Sequence, residues 1–247
     1  LRRSGGEDWG TPLVVHGITA AGEAFSAGEA GPRAAGCVVR QVPSLHRLTF
    51  RSSAATGGLV VVDSMVNNFT VEGEGQSLVF NCFVFNAFVR QGASAWLRHC
   101  SFRRNADIVA LSQARELQIE DSVIWNPEEH AFRLWAEGAN EVPQVRLAIT
   151  RSIVASSVGL GVRSFGTPPK RVSVPFPEGR DRDLIRMEAC STNPPAVIPR
   201  FGPDRYVLRS DSPGKGIAAG GRDPGALLDE QGNILPLDPV PPPPPAR

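Results

Sequence analysis

The side chains able to do chemistry in this chain are few, and several recur at fixed intervals. His99 stands 18 residues after Asn81 and 22 before Asp121. An imidazole beside a carboxylate works as a general acid–base pair when it titrates near neutrality. The commoner use of such a pair is a structural hydrogen bond. Arg90, Asp107, His130 and Arg133 form a second candidate group. There Asp107 or His130 would move a proton while the arginines neutralise a substrate carboxylate. Glu128 and Glu129 beside Pro127 could supply paired carboxylates, which a glycosidase holds ~5–10 Å apart, but read more simply as a solvated loop. Phe85, Arg103, Trp125 and Trp135 make a third group, a ligand-binding one. Flat rings beside a guanidinium can stack on a sugar and hold a hydroxyl or carboxylate.

Metal chemistry has little to draw on. Calcium takes six or more oxygens, and of the residues expected beside Arg90 and Arg133 only Glu72 and Asp107 are acidic. Cys37, Cys82, Cys100 and Cys190 show no zinc-type spacing. Calcium is unsupported, and no cofactor is expected.

These residues must be positioned by a repeat. Five segments align: 59–68, 77–86, 95–104, 117–126 and 147–156. Each centres on a small residue, Ser64, Cys82, Cys100, Ser122 or Ser152, with spacings of 18, 18, 22 and 30. Three positions before the centre stand Val61, Val79, Leu97, Ile119 and Ile149. Two positions after it stand Val66, Val84, Phe102, Ile124 and Val154. A helix of 3.6 residues per turn does not keep two such columns about one small residue. Short strands separated by bends do, when the chain winds so that each coil stacks on the last at roughly 4.8 Å. Equivalent residues then pile up as ladders: aliphatics inside, Ser and Cys in a tight bend, and Asn68, Asn86 and Asn126 satisfying turns.

On this register the position two before the centre, with Val62, Phe80, Arg98, Glu120 and Thr150, is expected to face outward, so that Arg98 faces Glu120, and His99 lies between Asn81 and Asp121. Positions one and three after the centre form an apolar outward face, which includes Phe83, Phe85 and Trp125, with Arg103 between the last two. The C-terminal arm or a partner is expected to cover it. The strands after the Asn column form a further sheet, with Thr70, Glu72, Arg90, Asp107, Val109, Arg133 and Trp135 expected to point outward.

The segments L117-Q-I-E-D-S-V-I-W-N126 and L78-V-F-N-C-F-V-F-N86 resemble the repeat of the right-handed parallel β-helix in the pectin-lyase-like superfamily, bacterial type. The stretch Y206-V-L-R-S-D-S-P-G-K-G-I-A-A-G-G-R-D-P-G-A226 looks like the closing segment of many bacterial β-helix proteins. The resemblance implies an all-β, single-stranded solenoid with irregular caps. It also implies a substrate cleft in the catalytic members. The Asp cluster and Gly-His-Gly of a pectin hydrolase are not found here. The expected organisation is an N-terminal cap or first coil over 1–36, the β-helix with its closing segment over 37–233, and a proline-rich tail over 234–247. The stretch 164–183 is expected to be a loop or arm.

Composition narrows the function further. Lys+Arg 26 against Asp+Glu 25 leaves a net charge of +1, so no nucleic-acid surface is indicated. No apolar run approaches the ~18 residues of a membrane span. Gly 25 and Pro 22 suit a turn-rich β protein. The absence of a starting Met leads us to expect a piece of a longer polypeptide, with an extracytoplasmic setting, secreted or cell-surface, favoured. The run I234-L-P-L-D-P-V-P-P-P-P-P-A-R247 favours polyproline II, as a spacer or as a PxxP ligand.

The leading expectation is a non-catalytic β-helix domain for recognition, with polysaccharide as the partner, or for rigid spacing. The alternatives are a lyase, epimerase or hydrolase acting on an acidic glycan, an extracytoplasmic module of a signalling protein, and a fibre that trimerises through an apolar column.

Overall fold

The computed structural model describes residues 13–16, 20–27, 37–41, 45–52, 59–73, 76–90, 92–103, 109–112, 116–127, 130–136, 146–156, 161–165, 170–174, 185–201 and 205–237. These residues are nearly all β. Eight strands form a wholly parallel first sheet. Numbered along the chain, they are β1 (Leu13–His16), β3 (Cys37–Arg40), β5 (Leu59–Val62), β7 (Gln76–Phe80), β9 (Ser94–Arg98), β12 (Glu116–Glu120), β15 (Arg146–Thr150) and β19 (Ile185–Glu188).

The strands between them build the second sheet, so the chain alternates from one sheet to the other. Here β2 (Ala20–Ala27), β4 (Leu45–Ser52), β6 (Met65–Gly73) and β8 (Phe83–Arg90) pair in sequence. Beyond β8 the sheet forks. The first half of β8 pairs with β10 (Ser101–Arg103), followed by β13 (Val123–Asn126) and β16 (Ile153–Ser156). Its second half pairs with β11 (Val109–Ser112), followed by β14 (Phe132–Ala136) and β17 (Gly161–Phe165).

The strand β18 (Lys170–Val174) then pairs antiparallel with β17. It corrects the expectation of a strandless arm over 164–183. The alternating K-R-V-S-V is a short edge strand, too brief to stand out beside the surrounding prolines. A separate antiparallel pair, β20 (Val197–Phe201) and β21 (Arg205–Leu208), opens the C-terminal segment.

The expected columns are the observed registers. Val61 pairs with Val79, Val79 with Leu97, Leu97 with Ile119, and Ile119 with Ile149. In the second sheet Val66, Val84, Phe102, Ile124 and Val154 follow one another in the same way. Both columns enter one buried cluster with Phe69, Phe132, Cys82 and Cys100. Since side chains alternate along a strand, the inner faces of the two sheets share this core. Asn86 donates from Nδ2 to Asn68 Oδ1 at 2.9 Å, side chain to side chain along the Asn column, and Asn126 Nδ2 donates to the His130 carbonyl at 3.1 Å, the turn-backbone contact expected.

Candidate functional site

The bend joining the two sheets repeats with the same chemistry. Its first residue is Gln41, Asp63, Asn81, His99, Asp121, Arg151 or Ala189, and each has φ between 47° and 52°. That left-handed conformation costs a non-glycine residue roughly 1 kcal/mol and is easiest for Asn and Asp. Stacking compensates. The N–H of Asp63, Asn81, His99, Asp121 and Arg151 donates, at 3.0–3.1 Å, to the carbonyl of Phe80, Arg98, Glu120, Thr150 and Glu188 respectively, one strand further on.

The small residue comes next, and its side chain turns back to the carbonyl two residues earlier. Ser64 Oγ donates to Val62 O at 2.7 Å, Cys82 Sγ to Phe80 O at 3.2 Å and Ser122 Oγ to Glu120 O at 2.6 Å. Cys190 Sγ does the same to Glu188 O at 3.3 Å. Cys190 therefore belongs to the column, 38 residues after Ser152. Met187 three positions before it was the available signal, and the long insertion hid it. Burial pushes the Cys82 thiol well above its ordinary range and that of Cys100 up to about 12. These thiols serve as small hydrogen-bond donors and not as nucleophiles.

The bend side chains, in turn, hold the C-terminal segment. Ala219 N–H donates to Asp121 Oδ1 at 3.0 Å and Gly225 N–H to Asp121 O at 2.8 Å. Ala226 N–H donates to Ser101 Oγ and Leu227 N–H to Asn81 Oδ1, both at 2.9 Å. Asn81 Nδ2 donates to Leu235 O at 2.7 Å and to Asp63 Oδ1 at 2.7 Å, and Leu237 N–H donates to Asp63 Oδ1 at 3.2 Å. The segment thus runs back along the stack as a strap, from the bend of Asp121 to that of Asp63. Gly225 has φ +99°, and a Cβ on it would sit 2.6 Å from Ser101 Oγ, so only glycine fits this close approach.

The strap also covers the apolar outward face. Phe83, Val123 and Ile153 cluster with Tyr206, Leu208 and Ala226, and Met65 and Trp125 pack against them. Tyr206 meets Phe83 and Trp125 edge-on at 5.9 and 6.0 Å and donates its hydroxyl to Phe102 O at 3.2 Å. The expected cover is therefore the chain's own C-terminal arm.

The electrostatics centre on Asp121, whose side chain is fully shielded from water. Arg151 Nε donates to its Oδ1 at 2.7 Å, and Arg98 Nε lies 3.4 Å from Oδ2. Burial raises the carboxyl's pKa, but the Arg151 hydrogen bond, the Ala219 amide and the Arg151 charge outweigh it and hold the group below its usual range. Arg98 also faces Glu120 as expected, at 3.8 Å.

His99 is buried, edge-on to Phe80 at 5.9 Å, with Nε2 3.7 Å from Asp121 Oδ2. Desolvation drives its pKa down to about 4. Asp121 pulls it up, but Arg222, Arg98 and Arg151 oppose that pull. The imidazole is neutral at pH 7, and the contact is not an ion pair. Its place between Asn81 and Asp121 is as expected, but burial under the strap leaves it no access to substrate.

The other candidates lie on the far half of the second sheet. Arg90 is exposed, with its guanidinium 5.1 Å from the Phe88 ring centroid and 3.8 Å from Glu72. Ser112 pairs with Arg90 on one side and Trp135 on the other, and Ala110 with Phe88 and Arg133. Backbone register therefore places Arg90 and Trp135 in one column and Phe88 and Arg133 in the next. Val109 pairs in backbone register with Ala87 and Phe132, both buried. Position two before the centre is a correction. Val62 and Phe80, expected outward and accessible, are buried in a cluster of their own.

His130 accepts from Asn126 through its carbonyl, and Phe85 is half-buried. Arg103 pairs in register with Trp125. Asp107, Glu128 and Glu129 lie outside the described residues. Among the described residues no three His, Cys, Asp or Glu side chains converge to hold a metal ion, and no helix is long and apolar enough to cross a membrane.

In comparisons with known proteins, no family model, no curated protein and no solved structure matches this chain.

Proposed function

We propose that the two sheets are walls of a right-handed parallel β-helix, and that the chain is a non-catalytic domain of this class that recognises an acidic polysaccharide. It would do so as part of a longer, extracytoplasmic protein. The stacked bends, with the same left-handed residue and the same Ser or Cys turning back in successive copies, support the winding reading. One observation carries the recognition reading. The ionisable groups of the bend are committed to structure, whereas the Arg90 guanidinium stands exposed beside Phe88, with Arg133 and Trp135 two strands away in the same two columns. Two strands span roughly 9.6 Å, about the scale of one to two sugar residues. Ala110 and Ser112 occupy the register positions between them. Arginines there would neutralise uronate carboxylates, and the aromatic rings would take the apolar sugar faces. This moves the centre of the site away from Trp125, which the strap engages.

A glycan array probed with the chain and with Arg90→Ala tests the reading. Uronate polymers retained by the parent and lost by the variant support it, and no ligand above background overturns it. Incubation with pectate, alginate and glycosaminoglycans tests the non-catalytic half. Unsaturated product absorbing near 235 nm, or new reducing ends, overturns it in favour of an enzyme.

A further inference from the structure

The strap crosses the layer of His99 between its anchors at Asp121 and Asn81, the neighbours of His99 along the bend column. Gly225 reaches the Asp121 carbonyl, Ala226 the Ser101 hydroxyl and Leu227 the Asn81 side chain. The imidazole beneath this stretch belongs to a residue only 2% exposed. Its Nε2 faces the Asp121 carboxylate at 3.7 Å, and Phe80 stands edge-on to the ring. Three cations oppose a charge on it: Arg98 from β9, Arg151 from the bend after Asp121, and Arg222 from the strap itself. Glu120, the other nearby carboxylate, is engaged by Arg98 at 3.8 Å and Arg151 at 3.2 Å.

The other ring nitrogen has nothing to bond to. Nδ1 is buried and has no hydrogen-bond partner among the described residues. In a neutral ring with its proton on Nε2, toward Asp121, Nδ1 is a bare acceptor. An imidazolium carries N–H on both nitrogens. Protonation therefore creates a buried donor with no acceptor, on a cation that faces three others and one carboxylate. Water relieves both faults. The strap is the layer that can leave to admit it. Residues 219–227 meet the bends through separate hydrogen bonds to Asp121, Ser101 and Asn81, whereas each strand beneath shares a ladder with its neighbours. Its departure also carries off Arg222.

We propose that His99 makes the strap an acid-operated latch: protonation of the imidazole frees residues 219–227 from the bends and bares Ser101 and Val123, while the two sheets stay paired. Gly225 is the residue that lies against both side chains in the closed form. Loss of the strap's acceptor is not the cause, because Arg151 and Ala219 hold the Asp121 carboxyl below its usual range and it keeps its charge at pH 4.5. His99 biases the opening by the difference in proton affinity between the covered ring and the wetted one. The covered ring titrates at about 4 and the free one at 6.5, so opening grows as pH falls through that interval.

Amide hydrogen exchange on the full chain at pH 7 and pH 4.5, corrected for the intrinsic effect of pH, tests the latch. Opening at Ala219, Gly225, Ala226 and Leu227 is expected to be roughly 60-fold greater at pH 4.5. These amides should also be less protected than those of β7 and β9 at both pH values. His99→Asn, which repeats the residue type of Asn81 at an equivalent bend, should remove the rise. Arg222→Gln should shrink it severalfold, since the strap's own cation no longer opposes the proton, and it decides the matter if His99→Asn fails to fold. Strap protection that is the same at the two pH values overturns the proposal. So do strap and sheet amides that exchange at one common rate, which would mean that the strap opens only with the whole fold. A rise undiminished in the deciding variant overturns it in favour of another titrating group.

Discussion

The bend between the sheets and the far half of the second sheet both carry arginine, carboxylate and aromatic groups, yet they use them in opposite ways. At the bend, Asp121 is dry, His99 is neutral, and the side chains of Asp63, Asn81 and Asp121 each accept a hydrogen bond from the strap. Around β8, Arg90 is exposed and its ion pair with Glu72 is long. Charges withdrawn from water must be matched by fixed donors and are costly to disturb, whereas solvated ones contribute little to folding and remain free to meet a ligand. Residue type alone does not separate a structural from a functional cluster here. What covers the cluster does.

Substitutions should split along that line. The largest effect is expected at Asp121→Ala, which leaves Arg151 and Arg98 with Glu120 as their remaining carboxylate and removes an acceptor of the strap. Urea unfolding should show a loss of about 3 kcal/mol. Near-equal stability would mean that the strap does not depend on the ladder.

His99 should give a pH dependence of comparable size. Its folded pKa of about 4 lies below the ordinary 6.5. The unfolded chain therefore binds more protons in that window, and stability falls as pH drops from 6.5 toward 4, by up to about 3 kcal/mol. The contribution is fully present above pH 6.5. His99→Asn, which places Asn81's residue type in the same left-handed position, should flatten the urea midpoint between pH 7 and pH 4.5.

Gly225→Ala should cost about 2 kcal/mol by lifting the strap off Ser101, seen as a lower thermal midpoint. Tyr206→Phe removes one hydrogen bond and keeps the ring contacts, so about 1 kcal/mol is expected. The smallest effect is Arg90→Ala, under about 0.5 kcal/mol in the same unfolding assay. A large loss there would show that the β8 face is structural after all, and would erase the contrast.

Much of the fold was legible because the two apolar columns keep a fixed distance from the small residue even where loops lengthen the spacing to 30. Cys190 escaped notice because 38 residues separate it from Ser152. The strap was only half legible. The apolar face needing cover could be read from Phe83 and Trp125, and the resemblance of 206–226 pointed to a closing segment. The pairing of Asn81, Asp121 and Asp63 with backbone amides of residues 219–237 could not be read, because backbone donors leave no mark on residue identity. The same reason explains His99. Its neighbours along the stack were foreseen, but the desolvation that sets its charge comes from packing by residues far away in sequence. The outer patch of Val62 and Phe80 was misread because alternation identifies the face a residue takes and not whether that face is wet.

A stack whose layers touch only their immediate neighbours unravels piecemeal from its ends. The C-terminal segment changes that, since it is hydrogen-bonded to the bends of Asp121, Asn81 and Asp63 at once. Opening any one of those layers must also peel away a stretch of chain held by the others. Amide protons from β5 to β12 should therefore exchange together, as one cooperative block, and not in a gradient from either terminus.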